Sequence, residues 1–437
     1  MSPKNNFFAF EKAKEQMAGL IAAYKPSLSI ERMEIRINPV DMLAWLSIQQ
    51  SEVKIYGTNQ DDTMAIAGIG EAACVRGGRK GDLKKIFKKL RSYLTSRYPY
   101  LQWYGGFCFD DHHLDTDWKE FGAYRFVLPR FELAAQDDKM IFCCNLCPQD
   151  NVADVLKQLH RIVIPTKAPA HEGNKTFSRR SDKPNEKLWK KDVENILLDT
   201  TVEKVVLARK TSLDSREIID PWSMLRQLKK LTPDSYHFAF QFKKVVFLGA
   251  SPERLYRRYG RFIESEALAG TMAQSVDPKI LQSSRKNRWE HALVVDAIQA
   301  AFKDLCTAYS YPKSPSVLTL PSGHHLISKF EGQLKDGVND EDILQSLHPT
   351  PALGGSPRRR ALAIIRKLEG FSRGWYGAPI GYVGRDGAEF VVGIRSGLAC
   401  GKKMSVFAGA GVVQGSKPQE EWQEVENKIS NFIKIIR

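Results

Sequence analysis

From Val202 onward the chain breaks into short β-prone runs at hairpin spacing, and that spacing constrains the fold more than any other feature of the sequence. Val245 to Gly249 is followed by Glu253 to Arg258, a Tyr259-Gly260 turn, and Phe262 to Ala269. Further on, Ile380 to Val383 and Glu389 to Arg395 flank Asp386-Gly387, a favoured hairpin dipeptide. Helices are interposed. Trp289 to Cys306 carries Val294, Ile298, Ala301 and Leu305 on one face, and Ser356-Pro357 opens a helix closed by Gly370. Runs of hairpins with separate helices predict an α+β fold with mainly antiparallel sheets, and argue against a doubly wound parallel sheet.

The first 165 residues carry weaker signals. Helical periodicity over Phe10 to Ile21 precedes the alternation Met33, Ile35, Ile37, which has the period of a half-buried strand. Arg125 to Leu133 and Lys139 to Leu146 flank the turn-like Gln136-Asp137-Asp138 and predict an antiparallel pair, after which Val152, Val155, Leu156 and Leu159 restore a helical period. Ile164 to Lys187 holds three prolines and little apolar periodicity, so it is expected to be a long surface excursion or a divider.

Composition narrows the class. Hydrophobic residues make up 43% of 437 residues, with 31 glycines, the balance of an ordinary globular protein rather than a disordered or fibrous one. Neither a bilayer-spanning apolar run nor an uncharged signal core is present, and seven sparse cysteines suit a reducing compartment, so a cytoplasmic, membrane-independent protein is expected. The net charge of +15 favours anionic partners without choosing among them. Its densest stretch, Asp82 to Arg91, places Leu83, Ile86, Phe87 and Leu90 on one helical face and Lys84, Lys85, Lys88 and Lys89 on the other. With no interleaved aromatics and no finger or ribonucleoprotein motif, no nucleic-acid partner is expected.

Several motifs fall short of a site. Gly68-Ile69-Gly70 with Ala73 imitates a dinucleotide fingerprint, but the glycines and charges of 76–81 interrupt any helix after it. Cys143, Cys144 and Cys147 include a CxxC spacing with no second pair to complete a zinc site, which predicts buried strand cysteines. Asp110-Asp111-His112-His113 with Asp115 and Asp117 is expected to be a polar turn.

The carboxyl-terminal segment is more informative. Ser416, Pro418 and the acidic pair Glu420-Glu421 predict a helix start, after which Trp422, Val425, Ile429, Phe432 and Ile436 form one apolar stripe. At about 100° per residue, Glu421, Glu424 and Lys428 fall together on its flank. Two carboxylates one turn apart beside a buried face suit a hard cation such as Mg2+; the same pattern also serves as solvated charge or a Glu424 to Lys428 pair.

Ten ordered segments then carry a resemblance: VEKVVLAR (202 to 209), GASPERL (249 to 255), EALAGT (266 to 271), EH with VVDAI (290 to 298), HLISKFEG (325 to 332), HPTPALGG (348 to 355), WYGAPIGY (375 to 382), GIRSG (393 to 397), FAGAGVV (407 to 413) and EEWQEVENK (420 to 428). In this order they resemble the chorismate-utilising enzymes, on the isochorismate-forming branch. Residues 200 to 430 bear the motifs, and 1 to 165 match loosely. The resemblance implies one catalytic domain over 1–437, an antiparallel β-sandwich flanked by helices, and Mg2+-dependent addition of water at ring carbon 2 of chorismate as the carbon 4 hydroxyl departs. It puts the base at Lys204 and the acid at Glu253. Such a lysine must be desolvated to lose its proton, and such a glutamate must stay protonated, which burial also favours.

The same resemblance places metal ligands at Glu290 and Glu424, with Glu421 alongside as a water-mediated contact. Arg395 and Tyr376 are implied for the enolpyruvyl carboxylate, and Gly270, Thr271, Gly409 and Gly411 for backbone donors or close approach. His325, Ala352, Leu353 and Lys428 match further substrate positions. The glycines could also be bulges or turns, and His325 a satisfied core histidine. Ammonia-using relatives usually have glutamine in place of Lys204, and those making aminodeoxychorismate often carry lysine in place of Ala269, so both positions point to water. Salicylate synthases share the lysine but typically have threonine and alanine in place of Ala352 and Leu353. A salicylate synthase and a non-catalytic basic binding module are the alternatives, and a monomer is expected.

Overall fold

The computed structural model describes residues 9–436 except Pro26, His113, Asp138, 166–176 and 321–322, and, within the last helix, the side chains of Asn431, Ile435 and Ile436. The described strands form a twelve-stranded and a ten-stranded sheet. All of their pairings are antiparallel. One core lies between the sheets: Phe238, Phe240 and Phe247 of the larger pack with Tyr104, Ile380 and Val391 of the smaller, all buried. The architecture is the expected helix-flanked β-sandwich.

The amino-terminal strands complete both sheets. Val53–Thr58 pairs with Tyr236–Phe242 in the larger sheet, and Gln102–Phe107 pairs with Pro379–Gly384 in the smaller. Helix Arg285–Leu305 lies on strand Phe262–Met272 and buries Val294, Ile298, Ala301 and Leu305, the face its period predicts. Helix Pro418–Ile436 lies on strand Lys403–Val413 through buried Val425, Ile429 and Phe432. Trp422 is only half-buried; its ring meets Trp189 at 6.0 Å between centroids and carries the Arg209 guanidinium 4.1 Å above it.

Three expectations need correction. Arg125 to Leu133 is not one strand, because Pro129 lacks an N–H for the ladder. Tyr124–Leu128 belongs to the smaller sheet, and only Phe131–Gln136 pairs with Lys139–Leu146. Within Ile164 to Lys187, Phe177–Lys183 is a strand paired with Lys204–Ser215, and a helix starts at Glu186; 166–176 lie outside the described residues. Its exposed, charged side chains suit a sheet margin, where an apolar alternation is not required. Finally, Val245–Ser251 and Arg254–Tyr259 are not hairpin partners: the chain crosses from the larger to the smaller sheet at Pro252-Glu253.

The discounted motifs behave as expected. Strand Met64–Ile69 leads to strand Ala73–Gly77, with no helix N-terminus for a pyrophosphate. Cys143, Cys144 and Cys147 are free and buried, and burial raises all three thiols. Asp110 pairs with Arg366, Asp111 accepts from the Lys80 N–H, and Asp117 pairs with Lys210, so these carboxylates tie loops together; His113 is outside the described residues. Lys84, Lys85, Lys88 and Lys89 are solvated opposite buried Ile86, Phe87 and Leu90. Among the described residues no helix is long and apolar enough to cross a membrane.

Candidate active site

A cavity of about 100 Å³ opens where strand Lys204–Ser215 of the larger sheet meets the Phe262–Met272 and Gly323–Leu334 strands of the smaller, roofed by the two helices. Lys204 begins its strand between Val413 and Ser356, and is buried. Its Nζ donates to Glu290 Oε1 at 2.9 Å, from the second turn of helix Arg285–Leu305. Strand Lys403–Val413 runs past this pair, and a Cβ on Gly411 would lie 2.7 Å from both Glu290 Oε1 and Lys204 Cε. Glycine there is a matter of space. Gly409 is as tightly placed, with Leu207 O 2.7 Å from a would-be Cβ.

Glu253 reaches the cavity from the crossing between the sheets, and is buried. Burial first, and the Glu266 charge next, push its carboxyl up to about 8, against smaller opposing effects of Lys204 and Lys428. Gly270 is a bulge: Ala269 and Thr271 oppose the adjacent residues Leu326 and His325, and Gly270 has φ +78°. Thr271 Oγ1 lies 3.0 Å from His325 Nδ1, while His325 Nε2 is buried with no hydrogen-bond partner among the described residues; burial, then the Arg395 and Lys428 charges, lower this imidazole to about 3. His325 is therefore neutral, and not a fully satisfied core residue.

Arg395 sits just past strand Gly387–Val392 at φ +50°, a strained backbone for a non-glycine residue, and its guanidinium makes no hydrogen bond to any described residue. Tyr376 stacks on Phe407 with 5.4 Å between centroids and also lines the cavity, as do Ala352 and Leu353. From helix Pro418–Ile436, Lys428 donates to Glu424 at 2.6 Å and to Gly409 O at 2.8 Å. Burial alone would raise the Glu424 carboxyl, but Lys428, with Lys286 and Arg395 behind it, holds it below the usual range. Glu421 is buried just outside the cavity and pairs with Lys286 at 2.8 Å; burial and then the Glu424 charge raise it.

All the residues singled out from the sequence thus line one cavity, except Glu421, which adjoins it. Three residues have roles that the sequence reading did not assign. Arg373 donates to Leu353 O at 2.9 Å, to Val206 O at 2.7 Å and to Glu369 Oε2 at 2.7 Å, and Glu369 accepts from the Ala208 N–H at 2.7 Å. This ion pair ties the strand carrying Lys204 to the loop carrying Ala352 and Leu353. A Glu-x-x-x-Arg spacing is a signal only on a helix, and here the helix has ended at Leu368. His291, beside Glu290, is a structural post: Ala269 O can only accept, so Nδ1 is protonated (3.2 Å) and Nε2 accepts from Ser328 Oγ (2.9 Å).

Size alone would point elsewhere. A cavity of about 350 Å³ lies between the sheets, lined by Ile55, Phe238, Phe240 and Val391 among others, and contains none of the groups above. The smaller cavity gathers Arg395 and Lys428, cations for carboxylates, with the Lys204 amine, Glu290, Glu424 and a Glu253 carboxyl held protonated at neutral pH. Glu290, Glu424 and Glu421 are hard oxygen donors of the kind Mg2+ takes. Each is held by a lysine, and among the described residues no three ligating side chains are gathered closely enough to hold a metal.

Residues 18–437 match the model of the family described as chorismate binding enzyme. The chain belongs to that family. Among its relatives are isochorismate synthase MenF of Bacillus subtilis, 29% identical over 99% of this chain and 97% of that one, and the chloroplastic isochorismate synthase of Catharanthus roseus, 31% identical over 90% and 72%. The solved structure of MenF, the menaquinone-specific isochorismate synthase of Escherichia coli, superposes with a TM-score of 0.88 at 26% identity, covering 98% of this chain and all of that one. Membership makes the protein a chorismate-converting enzyme and sets aside the non-catalytic binding module.

Proposed function

We propose that the protein is a Mg2+-dependent isochorismate synthase acting as a single catalytic unit, with Lys204 as base and Glu253 as acid. The observation that carries the reading is the pairing of a buried lysine with a carboxyl raised to about 8 in one cavity lined by carboxylate-binding groups. Proton removal from water and protonation of a leaving hydroxyl need that division of labour. Glu253 donates its proton to the departing carbon 4 hydroxyl, and Lys204 Nζ takes one from the water entering at carbon 2.

Chorismate is a dicarboxylate. Arg395, with a free fork, and Tyr376 hold the enolpyruvyl carboxylate, while Gly270, Gly409 and Gly411 leave room for the backbone and side chains packed against them, those of Lys204 and Glu290 included. Glu290 and Glu424 would hold the metal, with Glu421 through water, and the bound ion supplies charge neutralisation for the ring carboxylate. Lys428 braces Glu424 against strand Lys403–Val413. Ala352 and Leu353 present no hydroxyl to the ring, which favours release of isochorismate over elimination of pyruvate.

The test is substitution with a folding control. Lys204→Ala and Glu253→Gln should each lower turnover by roughly 10²–10⁴-fold while the proteins stay folded by thermal melting. A folded variant with near wild-type turnover would show the assigned base or acid to be wrong.

A further inference from the structure

Each of the three carboxylates assigned to the metal in the proposed mechanism is engaged by its own lysine: Glu290 by Lys204 at 2.9 Å, Glu424 by Lys428 at 2.6 Å, and Glu421 by Lys286 at 2.8 Å. The first two lysines line the cavity and have tasks there. Lys286 does not line it, so substrate contact does not account for its position. Nor does helix stability: Lys286 is the second residue of helix Arg285–Leu305, at the positive end of the macrodipole, where a cation is disfavoured. Its charge acts on Glu421, Glu290 and Glu424 together, and the side chain of Glu421 is only 2% exposed. A cation in that place compensates buried carboxylates, as a divalent ion would, and repels the ion itself.

We propose that Lys286 is a built-in counter-cation that competes with the divalent ion for the Glu421, Glu424 and Glu290 carboxylates, so that metal entry draws its ammonium away from Glu421. The residue thereby sets how tightly metal binds before substrate arrives. Its side chain is 34% exposed, which leaves a path toward solvent. This inference rests on the metal ligands proposed above.

Binding of Mn2+ to the full-length, substrate-free protein, followed by the electron paramagnetic resonance of free Mn2+ at low ionic strength, tests it without recourse to activity. Lys286→Met should bind Mn2+ about tenfold more tightly than the wild type, as expected for removing one charge about 6 Å from a divalent ion when solvent screening brings the effective dielectric to ~80. Lys286→Arg, which keeps the charge, should stay near wild type, and added KCl should narrow the gap between Met and wild-type proteins. Lys286→Gln, which can still donate to Glu421, answers the same question if the Met variant melts early. Equal or weaker binding by the neutral variants, with Mn2+ bound by the wild type, overturns this inference alone. If none of the proteins binds Mn2+, the metal reading beneath it fails as well.

Discussion

Glu253 shows how much one residue's surroundings decide. The sequence offers a glutamate in GASPERL; only the fold takes it across from one sheet to the other, buries it and lifts its carboxyl to about 8 from the ordinary 4.5. Between those values the folded protein holds a proton that the unfolded chain has released. Stability contributed by this residue must therefore fall as pH rises through that window. Urea midpoints across it should decline more steeply for the wild type than for Glu253→Gln, by up to one proton's worth of slope, and parallel slopes would contradict the burial argument. Turnover should fall on the alkaline side of about pH 8 for the same reason, since an ionised Glu253 has no proton to give.

Elements differ in how plainly the sequence announces them. The carboxyl-terminal helix was legible because its stripe and its carboxylates lie on adjacent faces at a fixed angular step. Ile429, fully buried, should cost about 2–5 kcal/mol when changed to alanine. Trp422, half-buried against Trp189 and Arg209, should cost about 3 kcal/mol when changed to alanine, the low end for a buried aromatic, and chemical denaturation of both variants checks the two values. By contrast the strand Phe177–Lys183 was illegible: a charged, exposed edge strand has no apolar alternation to read. The Arg373–Glu369 pair was hidden likewise, because its meaning lies in the two carbonyls it holds, Val206 O and Leu353 O, which are distant in the chain.

The loop held by that arginine carries Ala352 and Leu353, the pair proposed to set the product branch. Ala352→Thr adds a hydroxyl and a methyl to a confined wall, an overpacking of about 1–3 kcal/mol. Isochorismate formation should slow by about tenfold and the share of pyruvate released should rise, which a coupled dehydrogenase assay follows directly. An unchanged rate and product ratio would remove Ala352 from the specificity argument.

At the scale of the molecule, hairpin spacing after Val202 was enough to predict antiparallel sheets with separate helices. It was not enough to say which strands share a sheet. Local spacing makes Val245–Ser251 and Arg254–Tyr259 look like neighbours, whereas burial of two sheet faces against each other separates them and leaves Glu253 at the crossing. Nor could it show that strands such as Val53–Thr58 and Gln102–Phe107 complete the sheets behind the motif-bearing half, since pairing partners more than a hundred residues apart leave no local pattern. The cavity is lined by strands of both sheets. The most direct measurement is therefore on the intact protein: incubate it with chorismate and Mg2+, separate the ring products by chromatography and assay pyruvate in parallel. Isochorismate should accumulate with little pyruvate, and a chelator should abolish its formation; stoichiometric pyruvate and salicylate, or full turnover in chelator, would contradict the account.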